Sequence, residues 1–160
     1  MSYRLLSMKE LEPLKKDFIK FLAANSITGE DWGELKSKQA EEANRILKIF
    51  SDIVWEKSIE KIRFLEHRDH KYIKVFNCGE KKISLVGFSV NLKSAPSLMD
   101  PKTFEKLGSG ELAFSSLKPE FYRSYKEYAT TRSSEVYRLI ESGCLPCEKS
   151  YYYGIKSLII

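Results

Sequence analysis

Two cysteines separated by two residues, Cys144 and Cys147, form the motif in this chain that most resembles a redox centre. A proline between the cysteines and a helix after them are features of such centres, because a helix N-terminus lowers the pKa of a thiol. Redox motifs of this type normally follow a strand in a βαβ unit, whereas this one follows a predicted helix that ends at Gly143. We therefore favour a turn between two helices, in which neither thiol has a chemical role.

A zinc site is the second kind of chemistry that the residue types allow. His67, His70, Cys78 and the Cys144/Cys147 pair supply the nitrogen and sulfur ligands that zinc prefers. The chain has one Cys-x-x-Cys motif, however, and both histidines lie far from it in sequence. Nothing in the spacing brings the two halves together, so we predict no bound metal and no cofactor.

Positive charge is concentrated in residues 61–82, where seven Lys or Arg residues face three acidic ones, although the whole chain carries only +5. Aromatic residues are interleaved at Phe64, Tyr72 and Phe76, and basic strands with aromatics can bind single-stranded nucleic acid. A solvated sheet face with its aromatics turned inward is the interpretation that we favour. The candidate surface for an anion or a partner consists of Arg63, Arg68, Lys71, Lys74, Lys81 and Lys82.

Recognisable catalytic motifs are missing from the sequence. It contains no phosphate-binding loop, no dinucleotide fingerprint and no His-Glu-x-x-His zinc motif. With His67 and His70 as the two histidines, Ser-His-Asp chemistry has few available bases. We predict no catalytic residues and expect the protein not to be an enzyme.

The first third of the chain has helical periodicity. Ser7 with Glu10 and Thr28 with Asp31 form predicted helix starts. Helices are predicted over residues 13–24, around Trp32, and over residues 39–61, where the apolar stripe is Ala43, Ile46, Leu47, Phe50, Ile53 and Val54. Asp52 lies within this long helix, and we favour a structural capping role for it.

The period changes to that of β-strands after Ile62. Strands are predicted over residues 62–65, 72–76 and 83–90, and the last two form an antiparallel hairpin. Gly79 lies in the predicted hairpin turn and is free to take a positive φ there, and Gly87 is expected to mark a bulge. The four lysines of the candidate surface are expected to cluster at one end of this hairpin.

Helical patterns return in the last third of the chain. Asp100-Pro101 starts one predicted helix, and Pro119 starts another that carries Phe121, Tyr125 and Tyr128 at i, i+4 and i+7. Two more are predicted, one ending at Gly143 and one over residues 148–158. Three consecutive tyrosines, at 151–153, cannot all be buried on one face of that last helix. The predicted fold is therefore α+β: mostly helical, with a small antiparallel sheet of about three strands in the middle of a single domain over residues 1–160.

The apolar segments are short. None reaches the roughly 18 residues of a membrane span, and the first residues lack the apolar core of a secretion signal. An odd number of cysteines, three, also favours free thiols over a disulfide framework. We therefore expect a cytoplasmic protein that does not contact a membrane.

Several stretches resemble an uncharacterised family of short bacterial proteins, defined only as a domain of unknown function. The most specific is residues 50–56, Phe-Ser-Asp-Ile-Val-Trp-Glu, and the others are residues 3–5, 18–23, 26–28, 64–67 and 139–143. The resemblance spans most of the chain, while Cys144 and Cys147 depart from the family pattern. It implies a bacterial cytoplasmic protein and no particular activity.

A non-enzymatic protein-interaction module is the function that these observations favour, with a protein as the partner. The alternative is an RNA-associated accessory protein that uses the basic hairpin. A second alternative is a thiol- or zinc-dependent enzyme built on the cysteines.

Overall fold

A computed structural model describes residues 3–159 of the chain. The fold is α+β as predicted, but its one antiparallel sheet has five strands instead of about three. The chain divides into two compact units, the first ending at Ile59 and the second beginning at Glu60. The prediction of a single domain stays a prediction.

The first unit is helical. It contains α1 (Met8–Leu11), a 3-10 turn (Glu12–Leu14), α2 (Lys15–Ala24), α3 (Gly29–Lys38) and most of α4 (Ala40–Lys61). Both predicted helix starts are present, since Ser7 caps α1 with Glu10 and Thr28 caps α3 with Asp31. Each pair forms a capping box, in which two backbone N–H groups at the helix start receive side-chain acceptors.

Aromatic rings form much of the core of the first unit. The ring of Phe18 lies 5.0 Å from that of Phe50 on α4 and 5.1 Å from that of Trp32 on α3, both edge-on. Each edge-to-face pair of this kind stabilises the fold by about 1 kcal/mol beyond the contribution of the apolar area that it buries. Asp52 accepts the backbone N–H of Tyr3 at 3.2 Å. Tyr3 lies outside any helix, so this contact is not the helix cap that was predicted for Asp52.

The second unit is built on the sheet. Its elements are β1 (Phe64–Arg68), β2 (Tyr72–Cys78), β3 (Lys82–Val90), α5 (Pro101–Ser109), a 3-10 turn (Phe114–Leu117), β4 (Pro119–Glu127), α6 (Arg132–Glu141), β5 (Leu145–Pro146) and α7 (Lys149–Leu158). The strand order is β4-β3-β2-β1-β5, and every neighbouring pair is antiparallel.

The two faces of the sheet pack against different helices. Alternate residues of β2 and β3, among them Val75, Val86 and Phe88, form a buried cluster with Tyr152 of α7. Because side chains alternate across a strand, the residues between them lie on the other face, where Phe76 and Leu85 neighbour Leu139 of α6. The face that carries α7 is called the α7 face below.

Residues 119–127 form strand β4, so the helix predicted from Pro119 is wrong. All nine of its residues pair with β3 in one uninterrupted register, from Val90↔Pro119 to Lys82↔Glu127. The spacing of Phe121 and Tyr125 fits a helix, but aromatic residues also favour strands, and long-range pairing with β3 prevails over the local period. The same register shows that Gly87 is not in a bulge, which corrects that expectation.

The sequence predicted that the Cys-x-x-Cys segment is a turn between two helices, and this prediction is wrong. Its two central residues, Leu145 and Pro146, form β5 and pair with Glu66 and Leu65 of β1. A strand of two residues has no sequence period, which explains why the prediction missed it. Gly143 ends α6 with a φ of 108°, as expected of a glycine at a helix end. Gly79 lies in the hairpin turn without a positive φ.

Candidate ligand-binding cleft

The six cations of the predicted surface do not form one cluster. Arg63, Lys81 and Lys82 lie where β1 begins and where the β2–β3 turn leads into β3. Lys71 lies at the other end of β2, where its carbonyl accepts the N–H of Val90 at 2.7 Å. The eight residue steps of β3 between Lys82 and Val90 span roughly 25 Å at about 3.3 Å each. The expected clustering of the four lysines is therefore wrong.

Lys74 lies in the middle of β2, on the face opposite α7. Its ammonium group stands 4.9 Å from the centre of the Tyr72 ring, a cation–π contact. The Tyr72 hydroxyl is 2.9 Å from Nδ1 of His67 on the paired strand. These contacts are typical of a packed sheet face, on which the Tyr72 ring packs against the Lys74 ammonium group.

Arg68 differs from the other five cations because it points into a cleft on the α7 face. Its guanidinium group lies 4.6 Å from the centre of the Phe104 ring, on α5. Oε2 of Glu66 lies 3.6 Å from Nη2 of Arg68, which makes the two residues an ion pair without a hydrogen bond. Glu66 and Arg68 alternate along β1, so both side chains reach the same face of the sheet.

The cleft lies between the sheet and helices α5 and α7 and has a volume of about 450 Å³. Most of its lining is apolar. The main contributors are Ile73, Val75 and Phe88 from the sheet, Phe104 and Leu107 from α5, and Ile155 from α7. A concave apolar site with few polar groups is typical of binding sites in proteins.

The polar floor of the cleft is incompletely satisfied. Among the residues that the structure describes, Oε2 of Glu66 and Nε of Arg68 are buried and have no hydrogen-bond partner. Buried polar atoms without a partner cost about 1–3 kcal/mol each, so they are rare in stable folds. Both atoms have almost no contact with solvent, so a group that enters the cleft can pair with them only when their side chains turn toward it.

Local sequence features place α5 over the cleft. The side chain of Asp100 accepts the N–H of Lys102, and Pro101 takes the first helical position, where its missing N–H has no cost. Gly110 ends the helix with a φ of 81°. Phe104 and Leu107, at i and i+3, lie on one side of α5 and face the sheet.

The mouth of the cleft carries exposed apolar side chains. Tyr151 and Leu158 of α7 line it and are 49% and 50% exposed. Tyr152 is buried and Tyr153 is half exposed, which confirms the prediction that the three tyrosines cannot all be buried. A partner would cover apolar surface at the mouth as well as within the cleft.

Comparison with known protein families gives a match over the whole chain. Residues 1–160 match a family of unknown function, DUF6495, over their whole length. The chain belongs to this family. No curated protein and no solved structure matches it. The match confirms the resemblance to a family of unknown function and assigns no activity to this DUF6495 protein.

The cysteines of the DUF6495 protein are buried or partly buried free thiols. Burial raises the pKa of Cys78 and of Cys147 to about 11, and it also raises that of Cys144. A reactive thiol needs a lowered pKa, because the thiolate is the nucleophile. The shifts therefore run against the redox interpretation of Cys144 and Cys147.

The described part of the DUF6495 chain has neither a cluster of metal ligands nor a membrane-spanning helix. Residues 3–159 contain no group of three or more His, Cys, Asp or Glu side chains arranged to hold a metal ion. None of the helices within those residues has both the length and the apolar character needed to cross a membrane.

Sequence reasoning identified Arg68 in this DUF6495 protein but placed it on a surface with the other cations. It missed Glu66 as the neighbour of Arg68, and it missed Phe104 and Ile155. The alternation of Glu66 and Arg68 on a predicted strand was an available signal, since both had to share a face. Which helix covers that face depends on packing between distant segments and leaves no local pattern.

Proposed function

We propose that the protein is a non-enzymatic interaction module of the bacterial cytoplasm that holds an apolar segment of a partner protein in the α7-face cleft. The observation that carries this proposal is the pair of buried polar atoms, on Glu66 and Arg68, which lack hydrogen-bond partners at the floor of an apolar cleft. A bound segment that offers one donor and one acceptor would satisfy both atoms.

The chemistry of the floor defines what the segment presents. Nε of Arg68 donates, so it suits a backbone carbonyl or a carboxylate, whereas Oε2 of Glu66 accepts and suits a backbone N–H. A peptide group carries both a donor and an acceptor. Apolar side chains on either side of that peptide group would fill the space beside Phe104 and Ile155.

The exposed mouth favours a protein segment over a small molecule. The volume of about 450 Å³ falls within the range of small-ligand sites, about 300–1,000 Å³, so size does not distinguish the two. Tyr151 and Leu158, each about half exposed, extend the apolar surface beyond the cleft. Tyrosine is enriched in protein interfaces, and a protein partner would bury this rim.

Gly154 offers a direct test because it lines the cleft on α7. A Cβ built at Gly154 meets no atom within 4 Å, so the Gly154→Leu variant should keep the fold and place its side chain where the partner would bind. Gly33 on α3 is the matched control, since its Cβ also meets nothing within 4 Å. Replacing glycine within either helix should raise stability by up to about 1 kcal/mol.

The experiment compares the proteins that bind to three immobilised chains in a bacterial lysate, with and without nuclease. The three chains are wild type, Gly154→Leu and Gly33→Leu. The proposal expects a defined protein, retained after nuclease treatment, that binds wild type and Gly33→Leu but is lost with Gly154→Leu. Binding is then repeated with that protein in purified form. Capture that is equal for all three chains, or that disappears with nuclease, would contradict the proposal.

A further inference from the structure

Strand β4 is a long edge strand whose outer side is open. Among residues 3–159 it pairs with β3 alone, and it is the last strand on its side of the sheet. Residues 123–127 are all exposed, and the ring of Tyr125 is 75% exposed. An edge of this kind presents a row of unpaired N–H and C=O groups, and it can accept another strand.

Charged residues on an edge strand commonly prevent such pairing, so the arrangement of charge along β4 is informative. Glu120, Arg123, Lys126 and Glu127 are the charged residues of the strand. Glu120 and Lys126 lie three positions before and three positions after Arg123, with opposite signs. This arrangement is self-complementary for a second copy that runs antiparallel about Arg123.

We propose that two copies of this chain pair through β4, antiparallel, about a two-fold axis that passes through Arg123 perpendicular to the sheet. In this register Glu120 of each copy lies opposite Lys126 of the other, and Phe121 lies opposite Tyr125. Opposite charges and aromatic pairs directly across two strands each contribute about 0.2–1 kcal/mol. The pairing joins two five-stranded sheets into one and does not depend on the cleft.

The two registers adjacent to this one are poorer by the same reasoning. Moving the axis to Tyr122 places Glu120 opposite Ser124, and moving it to Ser124 places Lys126 opposite Tyr122. Either shift loses both ion pairs and the match between Phe121 and Tyr125, and it shortens the overlap of the nine-residue strands. The register about Arg123 brings two arginines together, but of these three registers it is the one that forms two Glu–Lys pairs.

The dimer is expected to be weak and to depend on concentration. One pair of edge strands buries less surface than the about 1,200–2,000 Å² of stable protein interfaces. Molar mass is therefore measured by sedimentation equilibrium from micromolar to near-millimolar protein. The wild-type chain should pass from monomer to dimer over that range, and a chain that stays monomeric throughout would overturn the proposal.

A charge exchange tests the register. Glu120→Lys should abolish the dimer, because it places like charges opposite each other twice. Mixing it with Lys126→Glu should restore association as a heterodimer, since both opposite-charge pairs form again. Lys126 also lies 3.4 Å from the buried carboxylate of Glu135, so the fold of the Lys126→Glu variant is checked by circular dichroism. A Glu120→Lys chain that dimerises as wild type does would contradict the register.

Cysteine cross-linking provides a second test that does not involve Lys126. Residues directly opposite in an antiparallel pair have Cα atoms about 4.5–5.5 Å apart, a separation that a disulfide spans. Arg123→Cys should therefore cross-link to its own copy under mild oxidation. Tyr125→Cys is the matched control, because its two copies lie roughly 13 Å apart in this register. Equal cross-linking of the two variants would overturn the proposal, and peptide mapping excludes the native cysteines.

Discussion

The ring of Tyr122 on β4 lies against the backbone of Gly87 on β3, directly across the strand pair. A Cβ built at Gly87 would stand 2.8 Å from Cε2 of Tyr122 and 2.7 Å from the carbonyl oxygen of Ile73. Glycine is required here by close approach from two sides, which explains a glycine in the middle of a strand without a bulge.

Gly87→Ala should lower the free energy of unfolding by about 1–3 kcal/mol, because the backbone of Ile73 cannot move aside as a flexible side chain could. Urea unfolding followed by circular dichroism measures the change. Gly33→Ala is the control, since a Cβ there meets no atom, and it should be neutral or slightly stabilising. A neutral Gly87→Ala would mean that the strand pair relaxes freely at this position.

Stability should fall at alkaline pH because of Cys78. Burial raises the pKa of its thiol from an ordinary value of 9.0 to about 11. Below pH 9 the thiol is protonated in both states, so its contribution to stability is fully present. Between about pH 9 and pH 11 the thiol ionises in the unfolded chain but not in the folded one, and that contribution is lost.

Cys78→Ala should therefore reduce the fall in unfolding free energy between pH 9 and pH 11, by up to about 2 kcal/mol. The measurement is urea unfolding at a series of pH values. Val75→Ala, another buried truncation on β2, should lower stability at every pH and leave the slope unchanged. If the Cys78→Ala and wild-type slopes are the same, the buried thiol is not the cause.

The candidate anion surface gives a prediction that separates the two ends of the sheet. Arg63, Lys81 and Lys82 lie at one end and Lys71 lies at the other. If the surface binds single-stranded RNA, the affinity should therefore fall more in the double variant Lys81→Glu/Lys82→Glu than in the double variant Lys71→Glu/Lys74→Glu. Affinity is measured by fluorescence anisotropy over a salt series, because phosphate contacts weaken with salt.

Lys9→Glu with Lys102→Glu serves as the control for net charge in the same titration. Equal losses from all three double variants would show that charge alone matters, and the surface would be dropped. Binding that resists salt would argue against phosphate contacts altogether.

Local signals in the sequence predicted much of the fold. The capping residues Ser7 and Thr28, the stripe along α4 and the β2–β3 hairpin all follow from residue type and spacing. Strand β4 was assigned to a helix because the spacing of Phe121 and Tyr125 fits both periods. Its partner, β3, lies far away in sequence, and the pairing decides the structure.

The candidate cleft was less accessible to sequence reasoning. Glu66 and Phe104 are separated by two further strands and by a loop, and only packing of α5 on the sheet brings them to the same cavity. Lys71 illustrates a second difficulty. The hairpin was predicted correctly, but the distance along β2 between Lys71 and the turn was not taken into account. Seven residues of strand carry Lys71 away from the turn.

Hydrogen–deuterium exchange of the full chain, with and without the purified partner, tests the central claim most directly. The account predicts that protection increases in α5, α7 and strands β1, β2 and β3, which line the cleft, and that Gly154→Leu abolishes the increase at the same partner concentration. Gly33→Leu should behave as wild type. Protection confined to other elements, or retained in full by Gly154→Leu, would contradict the claim that the partner occupies the cleft.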